Sequence, residues 1–119
     1  MKREPVKYIR DAAKARYKKG TECYICGTTE NLDFHHYNSI SEMCKRWMAK
    51  NKYSPEQAVE NRDTFIEEHY TQMYDDTVTL CNDHHTTLHK IYGVHPSLGT
   101  AKKQARWVER QRAKHGLVQ

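Results

Sequence analysis

Apolar positions along the chain fall into several helical stripes separated by two short alternating runs. Val6, Ile9, Ala13 and Tyr17 recur at helical spacing after Pro5, which suits the first position of a helix. Gly20 stops the run, which predicts a helix over 5–19. Leu32–Tyr37 alternates as a strand does, with Leu32, Phe34 and His36 on one face and Asp33, His35 and Tyr37 on the other. The second strand-like run, Val78-Thr79-Leu80, leads into Cys81.

Between these two runs the period returns to that of helices. Ser39 and Glu42 have capping-box spacing ahead of Ile40, Met43, Cys44, Trp47 and Met48. Ser54-Pro55 opens a second, longer helix with a stripe of Ala58, Val59, Phe65, Ile66, Tyr70 and Met73. Both stripes predict core packing, with Cys44 as a buried thiol and His69 as a surface or interface histidine. Trp47 and Met48, if exposed, would suit a homodimer face. A last helix is expected over 100–115, with a thin seam of Ala101, Ala105 and Val108. Trp107 on it packs inward or stacks on a base.

Candidate chemistry gathers around the strand-like runs. Cys23-x-x-Cys26-Gly27 is a knuckle whose two thiolates can grip one tetrahedral ion, and Cys81-x-x-His84 supplies a matching half. Each half alone is weak evidence; together they predict a structural zinc site of Cys23, Cys26, Cys81 and His84. His85 and His89 lie four apart, one helical turn from each other, and can share a second ion with the His35-His36 pair. Adjacent strand histidines face opposite ways, so His35 and His36 can do different jobs.

Composition narrows the class. With 119 residues, 37% hydrophobic and 29% charged, the chain makes one domain with a modest core that a metal staple would help hold. No apolar run approaches a membrane span, and Met1-Lys2-Arg3 is not followed by a signal-peptide core, which predicts a cytoplasmic protein. In that compartment four cysteines favour metal thiolates over disulfides.

The net charge of +5 is uneven: residues 1–20 carry +6, residues 100–119 carry +5, and the middle −6. Lys7, Arg10, Lys14 and Lys18 form a basic row near the start, and Lys102, Lys103, Arg106 and Arg110 another near the end. Such ends suit a polyanion gripped at the flanks, although solvated helix faces would look the same.

Cys23-x-x-Cys26, His35-His36 and Asp76-x-Val78-x-Leu80-Cys81-x-x-His84-His85-x-x-x-His89 together resemble the HNH endonucleases of the ββα-metal class, and are similar to those of bacteriophages. The resemblance implies an α+β fold: a zinc-stapled, treble-clef-like ββα-metal core over 21–38 and 76–92, a helical insert over 39–75 and flanking terminal helices. It implies hydrolysis of DNA phosphodiester bonds, by nicking or double-strand cleavage, with one divalent metal. His35, His85 and His89 would be the metal ligands and His36 the general base. The middle motif position, usually asparagine, falls on Asp76 or on its neighbour Asp75, and would orient that base. Mg²⁺, Mn²⁺, Ni²⁺ and Zn²⁺ all remain candidates for the catalytic ion, with imidazole-rich ligation favouring Ni²⁺ or Zn²⁺ affinity. DNA is the implied partner, in an infected bacterial host. The alternatives are a non-catalytic zinc-stapled DNA-binding module and a nuclease subunit of a phage packaging or recombination machine.

Overall fold

The computed structural model describes residues 4–116. Met1, Lys2 and Arg3, with which the expected absence of a leader was argued, lie outside the described residues. Helix α1 (Pro5–Lys14) comes first, then strand β1 (Leu32–His36) and helices α2 (Ile40–Asn51), α3 (Pro55–Glu60) and α4 (Arg62–Glu68). A π-helical turn (Thr71–Asp75) leads into strand β2 (Thr77–Cys81), and helices α5 (Asn82–Tyr92) and α6 (Ala101–Lys114) follow.

The two strands pair antiparallel across the whole helical insert, from Leu32 opposite Cys81 to His36 opposite Thr77. The alternation read from the sequence therefore divides the sheet into two faces. One face pairs Phe34 with Thr79, and Phe34 stacks on Tyr17 at 4.5 Å. The other pairs His35 with Val78 and Asp33 with Leu80, and this face meets α5 and α6.

Two small cores result. Ile9 and Ala13 of α1 pack with Ile40, Met43, Trp47, Phe65 and Met73 of the insert. Cys23, Ile25, Leu80, Leu88, Trp107 and Val108 form the other, around the knuckles. Neither is large, and the second is built directly against sulfur ligands, so a metal there would stabilise the fold as well as occupy it.

Several expected boundaries move. α1 ends at Lys14 rather than near residue 19, because Tyr17 must turn onto Phe34 and the Gly20 amide donates to Thr79 Oγ1 at 2.7 Å. Lys18 consequently lies beyond the helix. The long second insert helix breaks at Asn61, whose side chain donates to the Gln57 carbonyl at 2.8 Å and competes with the helical ladder. Its start matches expectation: Ser54 and Gln57 make a reciprocal capping box with Pro55 at the first position.

Trp47 is only 4% exposed, held edge-on by Tyr53 and Phe65, so its side chain does not meet the condition of exposure set for a homodimer face. Cys44 is buried in the same cluster, as its stripe implied. On α6 the inward seam is Gln104, Trp107 and Val108, with Ala101 and Ala105 only half-buried. Trp107 is thus a packing residue rather than a stacking platform. No helix among the described residues is long and apolar enough to cross a membrane.

Candidate metal centres and active-site groove

The knuckle site forms where the loop before β1 meets the start of α5. Gly27 takes a left-handed φ of 77°, which lets its amide return to the Cys23 carbonyl at 2.8 Å. The Tyr24 amide donates to Thr79 O at 2.9 Å, pinning this turn to β2. Cys81 caps α5, and one turn on, His84 Nδ1 lies 3.2 Å from its sulfur and 4.0 Å from that of Cys23; Cys26 Sγ is 4.0 Å from Cys81 Sγ. Three free thiols and one imidazole therefore face a common point.

That donor set fits a tetrahedral zinc. Burial pushes the Cys81 thiol up to about 11, and the neighbouring Cys23 sulfur adds to the rise. Burial also acts upward on Cys23, yet the backbone amides of Cys26, Cys81 and Ile25 bring that thiol below its usual value. Clustered thiolates need a cation to offset them, and a bound metal supplies it.

The second cluster sits on the α5 side of β1. His35 Nδ1 lies 3.1 Å from His85 Nε2, which lies 3.0 Å from His89 Nε2. Every outward ring nitrogen of the three has an acceptor. His35 Nε2 donates to Gln104 Oε1 (2.8 Å), His85 Nδ1 to Asp33 Oδ2 (3.1 Å) and His89 Nδ1 to the Gly93 carbonyl (2.8 Å).

Protons on the outer nitrogens leave three lone pairs converging inward. Neutral lone pairs at such distances repel, so this arrangement fits a cation among them. Burial holds His35 and His85 toward the neutral form that ligation requires: His35 falls to about 3, and His85 is also lowered, its depression opposed by Asp33. The His85–Asp33 contact is accordingly a hydrogen bond donated by a neutral ring rather than an ion pair.

His36 points to the opposite face of β1, against Tyr17 and Phe34. Its Nε2 donates to the Met73 carbonyl at 2.9 Å. Burial, reinforced against the ion by Arg10 and opposed by that hydrogen bond, lowers its pKa to about 4. The imidazole is neutral at pH 7 and keeps a lone pair on Nδ1.

Despite facing apart, His35 and His36 both line one groove of about 820 Å³. Arg10, Lys14 and Lys19 line it too, with His85, His89 and the loop Val94-His95-Pro96. An adjoining depression shares Arg10, Lys14 and His95 and adds Lys7. The basic row of α1 thus runs to the histidines.

Other expected site residues are placed differently. Asp75 and Asp76 are exposed, and neither carboxylate is hydrogen-bonded to His36 among the described residues; the Met73 carbonyl takes that position. Asp76 instead ties the strand ends together, its carbonyl accepting from the Tyr37 amide (3.1 Å) and its carboxylate from Asn38 Nδ2 (3.4 Å). Lys102, Lys103, Arg106 and Arg110 are exposed on α6, and none lines the groove. Lys19, His95, Asp33 and Gln104 were missed by sequence reasoning. Asp33 alone carried a usable sign, since it shares the strand face of His35.

Across residues 1–117 the chain matches the model of the phage T5 nicking endonuclease family. The protein belongs to the nicking endonuclease family. No solved structure matches it. Membership makes it an endonuclease, and a nicking endonuclease acts on DNA.

Proposed function

We propose that this nicking endonuclease is of the HNH, ββα-metal type, cleaving one DNA strand with a single divalent metal and a histidine general base. The convergence of three inward lone pairs, from His35, His85 and His89, carries this proposal. Their outward nitrogens are already engaged, so the trio is preorganised for a cation. When bound there, a divalent metal supplies positive charge to the scissile phosphate and the departing 3′ oxygen.

The protein's own groups do the rest. Met73 accepts the Nε2 proton of His36 and so presents Nδ1 as the base that takes a proton from the attacking water. A pKa of about 4 makes that base weak in the free groove. A phosphate brought beside it favours the imidazolium and raises its basicity when substrate is present. Arg10 and Lys14 hold the strand against the groove, with Lys7 and Lys19 extending the charged track. Cys23, Cys26, Cys81 and His84 hold a structural zinc that fixes α5, and hence His85 and His89, against the strands. Asp76 serves as a clasp between the strand ends.

Supercoiled plasmid with added Mg²⁺, Mn²⁺ or Ni²⁺ tests the proposal. The expected product is open-circular DNA, lost with EDTA and lost in His85→Ala and His89→Ala. Metal-independent nicking, or full activity in both variants, would overturn it. DNA binding without any nicking would leave a zinc-stapled binding module.

A further inference from the structure

The C-terminal helix contributes one uncharged residue to the histidine cluster, and its hydrogen bonds are fully determined. Gln104 is completely buried beneath His35. Its Nε2 donates to the Tyr37 carbonyl at 3.0 Å and to Thr100 Oγ1 at 3.0 Å. The carbonyl can only accept, and the Thr100 hydroxyl gives its own proton to Ser97 O at 2.7 Å, so both contacts require the nitrogen end of the amide. The oxygen end must then face His35 Nε2, 2.8 Å away, and only an N–H there satisfies it. Among the described residues no buried side-chain polar atom is left unpaired, which gives a flipped amide nothing to gain.

We propose that Gln104 is a positioning residue for His35, locking the tautomer in which Nδ1 is unprotonated and turned toward His85 and His89. The inference rests on the metal-dependent function proposed above. It adds α6 as a required part of the metal site and gives that helix a task independent of its basic surface. A backbone carbonyl serves His89 and a half-exposed carboxylate serves His85, whereas His35 depends on a side chain 69 positions away in sequence. Thr100 and Tyr37 hold that side chain in turn, so the 3₁₀ turn before α6 and the end of β1 set the ligand's orientation.

Calorimetric titration of Ni²⁺ into the protein with its structural zinc in place tests this. Gln104→Met, close in shape but without donor or acceptor, should weaken Ni²⁺ binding by about 10–100-fold. Parental affinity in Gln104→Met would overturn the assignment, because packing alone would then account for the residue. Long-range ¹H–¹⁵N spectra of the unsubstituted, Ni²⁺-free protein decide the case even if Gln104→Met does not fold. His35 should show its proton on Nε2, and a proton on Nδ1 would sink the inference. A parent that takes up no Ni²⁺ would overturn the metal-dependent function instead, while the tautomer would still be read from those spectra.

Discussion

The His36 Nε2–H donates a hydrogen bond to the backbone carbonyl of Met73 across 2.9 Å. That carbonyl lies in the π-helical turn that closes the insert, where the last carbonyls of a helical segment lack intrahelical partners. The wide turn, sealed by the Asp76 amide on Thr71 O, therefore leaves an acceptor facing His36 Nε2. A long insertion between the strands thus contributes the group that orients His36.

Because His35 and His36 face opposite ways, the separate roles proposed for them can be tested one at a time. His36→Ala should retain metal and DNA binding while nicking falls by about 10²–10⁴-fold, the usual size of a general-base contribution. His35→Ala should instead weaken the metal and recover some activity at high metal concentration. Metal titration beside a nicking assay reads both. If His36→Ala lost the metal and His35→Ala kept it, the two roles would be exchanged.

Removal of a zinc ligand should be a folding defect. Cys81→Ala takes one of three sulfurs from a site that forms part of the second core, and should lower the melting temperature by at least about 10 °C while reducing bound zinc. Cys44→Ser should keep its zinc, because Cys44 packs in the other core against Met48. Native melting with one full equivalent of zinc in Cys81→Ala would exclude that ligand set.

The same site should be sensitive to pH, with a sign fixed by its thiols. Burial raises Cys81 to about 11, so near neutrality it is protonated in the metal-free protein and must release that proton on ligation. Zinc affinity should therefore fall by at least about tenfold for each pH unit lowered between 7.5 and 6.5. Competition with a chelator at the two pH values measures it. A change well below tenfold would mean that Cys81 binds no metal as a thiolate.

Residues whose roles follow from local spacing were legible in the sequence. Cys23 and Cys26, Cys81 and His84, and His85 and His89 each lie within one knuckle or one helical turn, so the chain alone brings each pair together. The strand alternation separated His35 from His36 for the same reason. What escaped was contributed across the fold. Gln104 looks like any polar helix residue until α6 packs against β1, and Met73 acts through a carbonyl that no side-chain pattern reveals. The motif position expected to orient His36 falls on Asp76 or Asp75, but both are exposed, and the Asp76 carbonyl and carboxylate turn to Tyr37 and Asn38. α1 ended early because Tyr17 packs on a strand, an event outside its own periodicity.

Placement of the basic residues makes the two ends of the chain unequal. Arg10 and Lys14 line the groove, whereas the exposed cations of α6 do not. If α1 holds the strand, Arg10→Gln with Lys14→Gln should reduce the slope of log affinity against log salt by about 1.8 on duplex DNA, or about 0.9 for each phosphate no longer neutralised. Neutral substitution at Lys102, Lys103, Arg106 and Arg110 tests the second basic row in the same way, and flattens the slope only where that helix touches phosphates. Filter binding or fluorescence anisotropy from 50 to 200 mM salt gives both slopes. Because Arg10 and Lys14 line the same groove as His36, their loss should also slow cleavage when protein saturates the DNA, which a remote electrostatic contact would not do. An unchanged slope and an unchanged saturated rate in the double variant would mean that DNA does not run along α1.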